Sequence, residues 1–490
     1  MVVTLCALLA AVLWRRPPYF DETFYAYQGY LVHKFAAYRF IALLDGKGPM
    51  LNWLTAAVIN LHVDSLTAVR LVAAAADVAT LIAIGALTRF VAGRAAAIVA
   101  MAMFVVSPFQ LIQAGMGTYE PLVLAATAWL LYLQIRMVKN PRPLLSVVLG
   151  GAMGFALLTK ANGTLAVILL PVSLLLFDWH GLDRVRRLAH WIVFTANALL
   201  IGALLYSVER QSVFHRIPHV AQDRQQFHPP AYALRHAASI LSTNWPFFRI
   251  ELRDYLSFPF LLLAAVGFGL LLSERPALAF LLGAWFSLPA VASALIATKP
   301  LSRFLLPWMA PLFVLAGFGA VRLASLLQPR LRSGAATTAV GAMCVALALP
   351  ALIFASRWMV DPAYTALPGF DDYEFVADWP AGTGFDVIVA ALKARVHRGD
   401  VIAVTPDTAH SHALPVLLHD PGGERYQVLR ADDPNARLAS YLLDYGVPDP
   451  PCPSAEQRFT RCSFVDISRF KLLAVIHRPR NGETFELYGR

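Results

Sequence analysis

Apolar runs near twenty residues long recur along this 490-residue chain, separated by short turns, many of them rich in arginine. A helix needs about 20 apolar residues to cross the hydrocarbon core of a bilayer. Eleven spans are predicted, at about residues 1–14, 66–87, 95–112, 121–135, 144–158, 164–177, 188–208, 257–272, 277–297, 304–321 and 335–355. The expected fold class is therefore a polytopic α-helical membrane protein over residues 1–356, followed by a C-terminal α/β domain over residues 357–490. Hydrophobic residues make up 58% of the chain and charged residues 15%. A soluble domain has about 45–50% and about 25%, so a soluble enzyme, a disordered chain and a coiled coil are excluded. The first run is short, lacks a basic segment before it and is followed by Arg15 and Arg16, the reverse of a signal peptide.

The formal net charge of +10 is unevenly spread. Residues 357–490 hold 14 basic and 18 acidic residues, and residues 1–356 hold 27 and 13. A basic excess in the apolar part suits anionic headgroups or a phosphorylated substrate, and no zinc-finger, RNA-binding or basic-helix pattern supports a nucleic-acid partner. One set of short loops carries twelve basic residues, from Arg89 to Arg332, whereas the short turns of the opposite side carry only Arg70, Lys160, Lys299 and Arg303. The positive-inside rule then makes the N-terminus cytoplasmic and the C-terminal domain extracytoplasmic. Cys452 and Cys462 lie ten residues apart in that polar tail, without His or Cys at metal-ligand spacing, and a disulfide between them agrees with an oxidising compartment. Cys6 and Cys344 lie in apolar runs and are expected to be buried thiols. In the tail, residues 401–404 and 426–429 read as strands, and 472–476 with 484–488 as a hairpin about Asn481-Gly482.

Chemistry is expected where charge meets the external face. Asp21 and Glu22 follow the first run directly, and a carboxylate in a membrane-edge cavity can serve as general base toward a hydroxyl. An ordinary solvated loop start is the bland alternative. Lys47 sits in Asp45-Gly46-Lys47-Gly48-Pro49, where glycines allow close approach and a lysine can meet a phosphate; a snorkelling interfacial lysine is the alternative. Glu120 precedes Pro121 on a short turn, where it could also simply favour a helix N-terminus. Lys299 and Arg303 share one external turn against the charge trend, so an anion or interfacial anchoring accounts for them. Asp77 lies within the second run and serves either function or a helix–helix hydrogen bond. Acids that activate a hydroxyl, together with cations that hold a phosphate, describe transfer from a lipid phosphate. No P-loop or dinucleotide fingerprint is present.

These motifs resemble the polyprenyl-phosphate-dependent glycosyltransferases of the GT-C superfamily, particularly protein O-mannosyltransferases and lipid A aminoarabinose transferases. The likeness rests on Asp21-Glu22-x-x-Tyr25-Ala26, Gly46-Lys47-Gly48-Pro49, Arg70-Leu71, Leu158-Thr159-Lys160 and Ser302-Arg303-Phe304-Leu305-Leu306-Pro307, over about residues 15–320. It implies a GT-C bundle with juxtamembrane amphipathic helices, of which 50–63 is one. It also implies catalysis by Asp21 with support from Glu22, a second acid at Glu120, and donor-phosphate contacts at Lys47, Arg303 and Lys299. Tyr25, Arg70 and Lys160 are further site candidates through the same motifs. The family often has Lys-Pro-Pro where this chain has Lys47-Gly48-Pro49, which predicts a more mobile loop.

The expected activity is inverting transfer of a sugar from a polyprenyl phosphate to the hydroxyl of an extracytoplasmic glycan, lipid or protein, in a plasma (inner) membrane. No cofactor is demanded, although a divalent metal could bridge Asp21 and Glu120. A lipid or sugar transporter or flippase, and a non-catalytic glycan-binding membrane protein, are the alternatives.

Overall fold

The computed structural model describes residues 16–490 except 115, 217–226, 328–332, 362, 370, 378–380, 406–409, 446–464 and 478–483. The first predicted span and the Cys452–Cys462 pair lie outside the described residues.

The chain enters through α1 (Phe20–Lys34), which follows the loop from Arg16 and is succeeded by two short 3-10 turns and α2 (Met50–Ile59). Helix α1 is started by its own sequence. Glu22 reaches back to the Tyr19 N–H at 2.9 Å, and Asp21 and Glu22 place negative charge at the positive helix end while His33 and Lys34 close the other. The segment α3 (Ser65–Val106) holds both the second and the third predicted spans. It is capped by Asp64, whose carboxylate accepts from Thr67 N at 3.0 Å. Forty-two helical residues would run about 63 Å at 1.5 Å per residue, but this segment folds back. Gly93 has φ +84°, and a Cβ placed on Gly85 would meet Met101 Sδ at 2.6 Å. The two arms on either side of Gly93 therefore pack on each other, as the two spans would.

Next come α4 (Pro108–Ala114), α5 (Glu120–Lys139), α6 (Pro143–Thr159), α7 (Asn162–Ile168) and α8 (Arg184–Tyr206). Then follow α9 (Pro230–Arg235), α10 (Ala237–Leu256), α11 (Phe258–Glu274), α12 (Pro276–Ile296), α13 (Ala310–Leu327) and α14 (Ser333–Val360). By length and composition, four described segments can cross a membrane: Ser65–Val106, Glu120–Lys139, Arg184–Gln211 and Pro276–Ile296. Two bent pairs raise this to six. The predicted eleven is thus a finer division than the described helices carry by these criteria. The physical reasons are visible in the sequence. Pro171 turns the second half of the sixth predicted span into a 3-10 turn, and α6 is only 17 residues long. The tenth span is bent by 60° where Pro307 and Pro311 interrupt its first turns. Helix α10 occupies part of a segment read as spanless. It meets α11 at 100°, across Ser257 at φ +65° with Pro259 behind it. The chain is a multi-pass membrane protein.

The helical core is continuous, and it includes Leu367, Phe375 and Val376 beyond α14. The sheet domain has its own core. Its strands β1 (Val401–Val404), β2 (Gln427–Arg430), β3 (Tyr441–Tyr445), β4 (Lys471–His477) and β5 (Thr484–Gly489) form a mixed sheet in the order β2-β1-β3-β5-β4. The first three are parallel, and β5 is antiparallel to both β3 and β4. Helices α15 (Phe385–Lys393) and α16 (His410–Leu417) bury Phe385, Ile388, Leu392 and Leu414 against Ile402, Val404 and Leu487. The predicted strands and hairpin pairing agree with this sheet, while β3 was not anticipated. Helix α16 also packs on α1, with Val416 in one apolar cluster with Tyr25, Ala26 and Leu51.

Candidate active site

A cavity of about 820 Å³ opens beside the N-terminal turn of α1. It gathers side chains that are hundreds of residues apart. Asp21 and Tyr25 come from α1, and Asp45 and Lys47 from the loop before α2. Glu120 comes from the start of α5, Lys160 from the end of α6, Arg303 from the turn before α13, and Glu374 from beyond α14. Each cation faces an acid. Arg303 Nη1 donates to Asp21 Oδ2 at 2.7 Å, and Lys160 Nζ to Glu120 Oε1 at 2.6 Å. Lys47 is paired with Asp45, donates to Tyr25 Oη at 2.5 Å and lies 4.9 Å from the Tyr25 ring centre. Burial raises the Tyr25 hydroxyl, and the neighbouring Asp21 charge adds to it, so the phenol stays protonated. Burial lowers the Lys160 ammonium, with Glu120 opposing that shift.

The loop that carries Lys47 is pinned. Gly48 N donates to Thr159 O at 3.2 Å, and a Cβ at Gly48 would fall 1.9 Å from Leu158 O. Glycine here permits close approach to the end of α6, which is a different use from the mobility predicted for it. Tyr119 Oη donates to Gly48 O at 3.1 Å and holds the loop from the other side.

Glu22 and Arg70 are brought together outside the cavity. Glu22 is fully buried and both its oxygens are occupied. Oε1 accepts from Tyr19 N and Arg70 Nη2, and Oε2 from Arg70 Nε at 3.1 Å and Gly117 N at 3.0 Å. The pair ties α1 to α3 and to the loop before α5, and so positions Asp21 and Glu120. Lys299 is exposed and does not line the cavity. Asp77 is buried and bonded to Gln110, which joins α3 to α4. Sequence reasoning missed Glu374 and His228, which line the cavity, and Tyr19, whose hydroxyl donates to Glu374 Oε1 at 2.7 Å. Glu374 sits in a polar segment where one more acid carries no signal. Phe227 is brought in by an antiparallel bridge to Ala297, and His228 beside it donates its N–H to Ile296 O at 2.7 Å.

A metal bridge between Asp21 and Glu120 does not fit this donor set. Each acid already faces a cation, and among the described residues no group of three or more His, Cys, Asp or Glu is placed to hold an ion.

An apolar cavity of about 510 Å³ is lined by α2, α3, α5 and α6 through Leu54, Ala75, Ala79, Leu122, Trp129 and Phe155, among others. Polar ion pairs at the helix ends and an alanine-lined groove thus share α5 and α6. Part of the chain matches a family model, and its fold is similar to those of solved membrane-protein structures. Residues 46–209 match the family model described as dolichyl-phosphate-mannose-protein mannosyltransferase, a segment that holds Lys47, Arg70, Glu120 and Lys160 but neither Asp21 nor Arg303. The fold is similar to ArnT from Cupriavidus metallidurans bound to undecaprenyl phosphate, at 17% identity and TM-score 0.55, over 99% of this chain and 96% of that one. It is also similar to the Archaeoglobus fulgidus oligosaccharyltransferase in complex with Zn and sulfate, at 12% identity and TM-score 0.52, over 90% and 68%. The archaeal AglB in complex with an inhibitory peptide and a dolichol-phosphate gives 12%, 0.51, and 90% and 69%. No curated protein sequence matches the chain.

Proposed function

We propose that this protein transfers a sugar from a polyprenyl phosphate to an acceptor hydroxyl, with inversion at the anomeric carbon. The observation that carries the reading is the convergence of Asp21, Lys47, Glu120, Lys160 and Arg303 on one cavity, with an apolar groove that also runs along α5 and α6. The groove suits a prenyl chain, and the cations suit its phosphate. Arg303 lines the cavity, and its guanidinium fork suits the oxygens of a phosphate.

In this mechanism the acceptor oxygen attacks the anomeric carbon and the bond to the lipid phosphate breaks. The hydroxyl proton passes to Asp21 Oδ1, because Oδ2 faces Arg303. Charge that develops on the departing phosphate is offset by Lys47 and Arg303, fixed in place before the reaction. Glu120 holds Lys160 at the cavity wall. Lys299, on the exposed turn, acts at most in drawing the anionic headgroup inward. The expected setting is a plasma membrane with the cavity on the extracytoplasmic side, in keeping with the arginine distribution. A ligand found with a structure of similar fold supports the choice of donor, since ArnT from Cupriavidus metallidurans was solved with undecaprenyl phosphate. The test is transfer by purified protein from a panel of radiolabelled polyprenyl-phosphate sugars. Turnover of one donor is expected. No turnover and no binding of any donor by folded protein would reject the reading in favour of transport.

A further inference from the structure

The turn that carries Arg303 is held from behind by a segment that the likeness over residues 15–320 does not reach. Ser302 Oγ donates to Asp371 Oδ2 at 2.5 Å, and Tyr255 binds the same carboxylate. Three residues on, Glu374 Oε1 lies 3.6 Å from Arg303 Nη2 and accepts the Tyr19 hydroxyl at 2.7 Å. Asp371 and Glu374 are both buried, and Phe375 and Val376 beside them are packed into the helical core. The segment is thus anchored, and each of its two acids grips one member of the Ser302-Arg303 pair.

The charge count adds a second argument. Among the described residues the cavity is lined by three cations, Lys47, Lys160 and Arg303, and four carboxylates, Asp21, Asp45, Glu120 and Glu374. Lys47 and Lys160 each have one acid, while Arg303 is divided between Asp21 and Glu374. An arginine held by one carboxylate alone would close on it as a simple ion pair. One held by two is drawn partly away from Asp21. Glu374 Oε2 is buried with no partner among the described residues, so this acid is kept in place at a cost that helix packing alone does not require.

We propose that Glu374 is a positioning residue of the transfer reaction, which shares Arg303 with Asp21 so that the guanidinium stays aimed at the lipid phosphate and does not close on Asp21 alone. It rests on the reading of the site as a lipid-phosphate transferase. In chemical terms Glu374 trades donor affinity for turnover. It places a negative charge beside a phosphate, and in exchange it keeps the base and the arginine from closing into a simple pair.

The experiment compares wild type with Glu374→Gln and Glu374→Asp in two measurements: binding of undecaprenyl phosphate alone, and kcat and KM for the donor that turns over. Glu374→Gln should bind undecaprenyl phosphate more tightly, by about threefold, and lower kcat by about tenfold, because a like charge is removed and the Asp21–Arg303 pair is completed. Glu374→Asp keeps the charge and shortens the reach, so it should keep wild-type affinity and lose part of kcat. A merely structural role would lower the active fraction and leave KM, lipid affinity and turnover per folded molecule unchanged, and that result would overturn the proposal. So would weaker lipid binding by Glu374→Gln. Should Glu374→Gln fail to fold, Glu374→Asp decides alone: wild-type kcat in it would overturn the proposal. Wild-type protein that binds no lipid phosphate would reject the transferase reading and this proposal with it. Wild type that binds beside indistinguishable variants would reject the proposal alone.

Discussion

Asp21 and Glu22 are adjacent in the chain, and each meets an arginine, yet they sit in opposite environments. Glu22 is fully buried and accepts four hydrogen bonds, two from Arg70. Asp21 lines a cavity, retains 23% side-chain exposure and takes one bond from Arg303. The first carboxylate has no capacity left, so it can only hold structure. The second lines the cavity with one described bond, on Oδ2, which suits the proton-accepting role proposed for it. One turn of α1 divides the two tasks because successive helical residues point about 100° apart.

The largest expected effect sharpens that contrast. Glu22→Gln or Arg70→Ala leaves a charge buried without its counter-ion, a change that costs about 3–5 kcal/mol. Both variants should lose most folded protein, as read by thermal melting in detergent. Asp21→Asn should melt like wild type and lose transfer by about 10²-fold or more, the usual contribution of a general base. The reverse pattern, an inactive but stable Glu22→Gln beside an unstable Asp21→Asn, would break the comparison. An intermediate effect is expected for Glu120→Gln, which strands the buried Lys160 ammonium. Transfer should fall about tenfold with a lowered melting temperature, and Glu120→Gln/Lys160→Met should recover part of the stability.

The acids behind Arg303 give a smaller, pH-dependent signature. Burial pushes Asp371 up to about 7, with the Glu374 charge acting in the same direction, and burial raises Glu374 as well. A carboxyl raised in the folded state binds more protons there than in the unfolded chain. Its stabilisation is complete below the ordinary value of 3.8 and is lost as pH rises through about 7. Melting temperature should therefore decline between pH 5 and 8, and the decline should be shallower in Asp371→Asn. The smallest effect belongs to Lys299, which is exposed and outside the cavity. Lys299→Ala should change kcat by less than about twofold, with any KM increase confined to low salt.

The site was legible where charge is rare. In an apolar chain, Asp21, Lys47, Glu120, Lys160 and Arg303 each stand against their surroundings, and the structure brings these five to one cavity. Glu374 and Tyr19 lie among polar or aromatic neighbours, where neither residue type is unusual, and only tertiary contact reveals them. The fold follows the same logic. The turn at Gly93 falls between Arg89 and Arg94, so the hairpin within α3 is readable from charge. Helix α10 was not, because Arg249, Glu251, Arg253 and Asp254 interrupt its apolar face and hydropathy falls below that of a span. Strand β3 is five residues long and carries Asp444, too short a pattern to separate from a loop.

The central claim is that Asp21 is the base at a lipid-phosphate-sugar site. The most direct measurement is transfer from radiolabelled polyprenyl-phosphate sugars by purified wild type and Asp21→Asn, each checked for melting and for binding of undecaprenyl phosphate. The account predicts that one donor turns over in wild type, and that Asp21→Asn still folds and binds the lipid but does not turn it over. Full transfer by folded Asp21→Asn would contradict it.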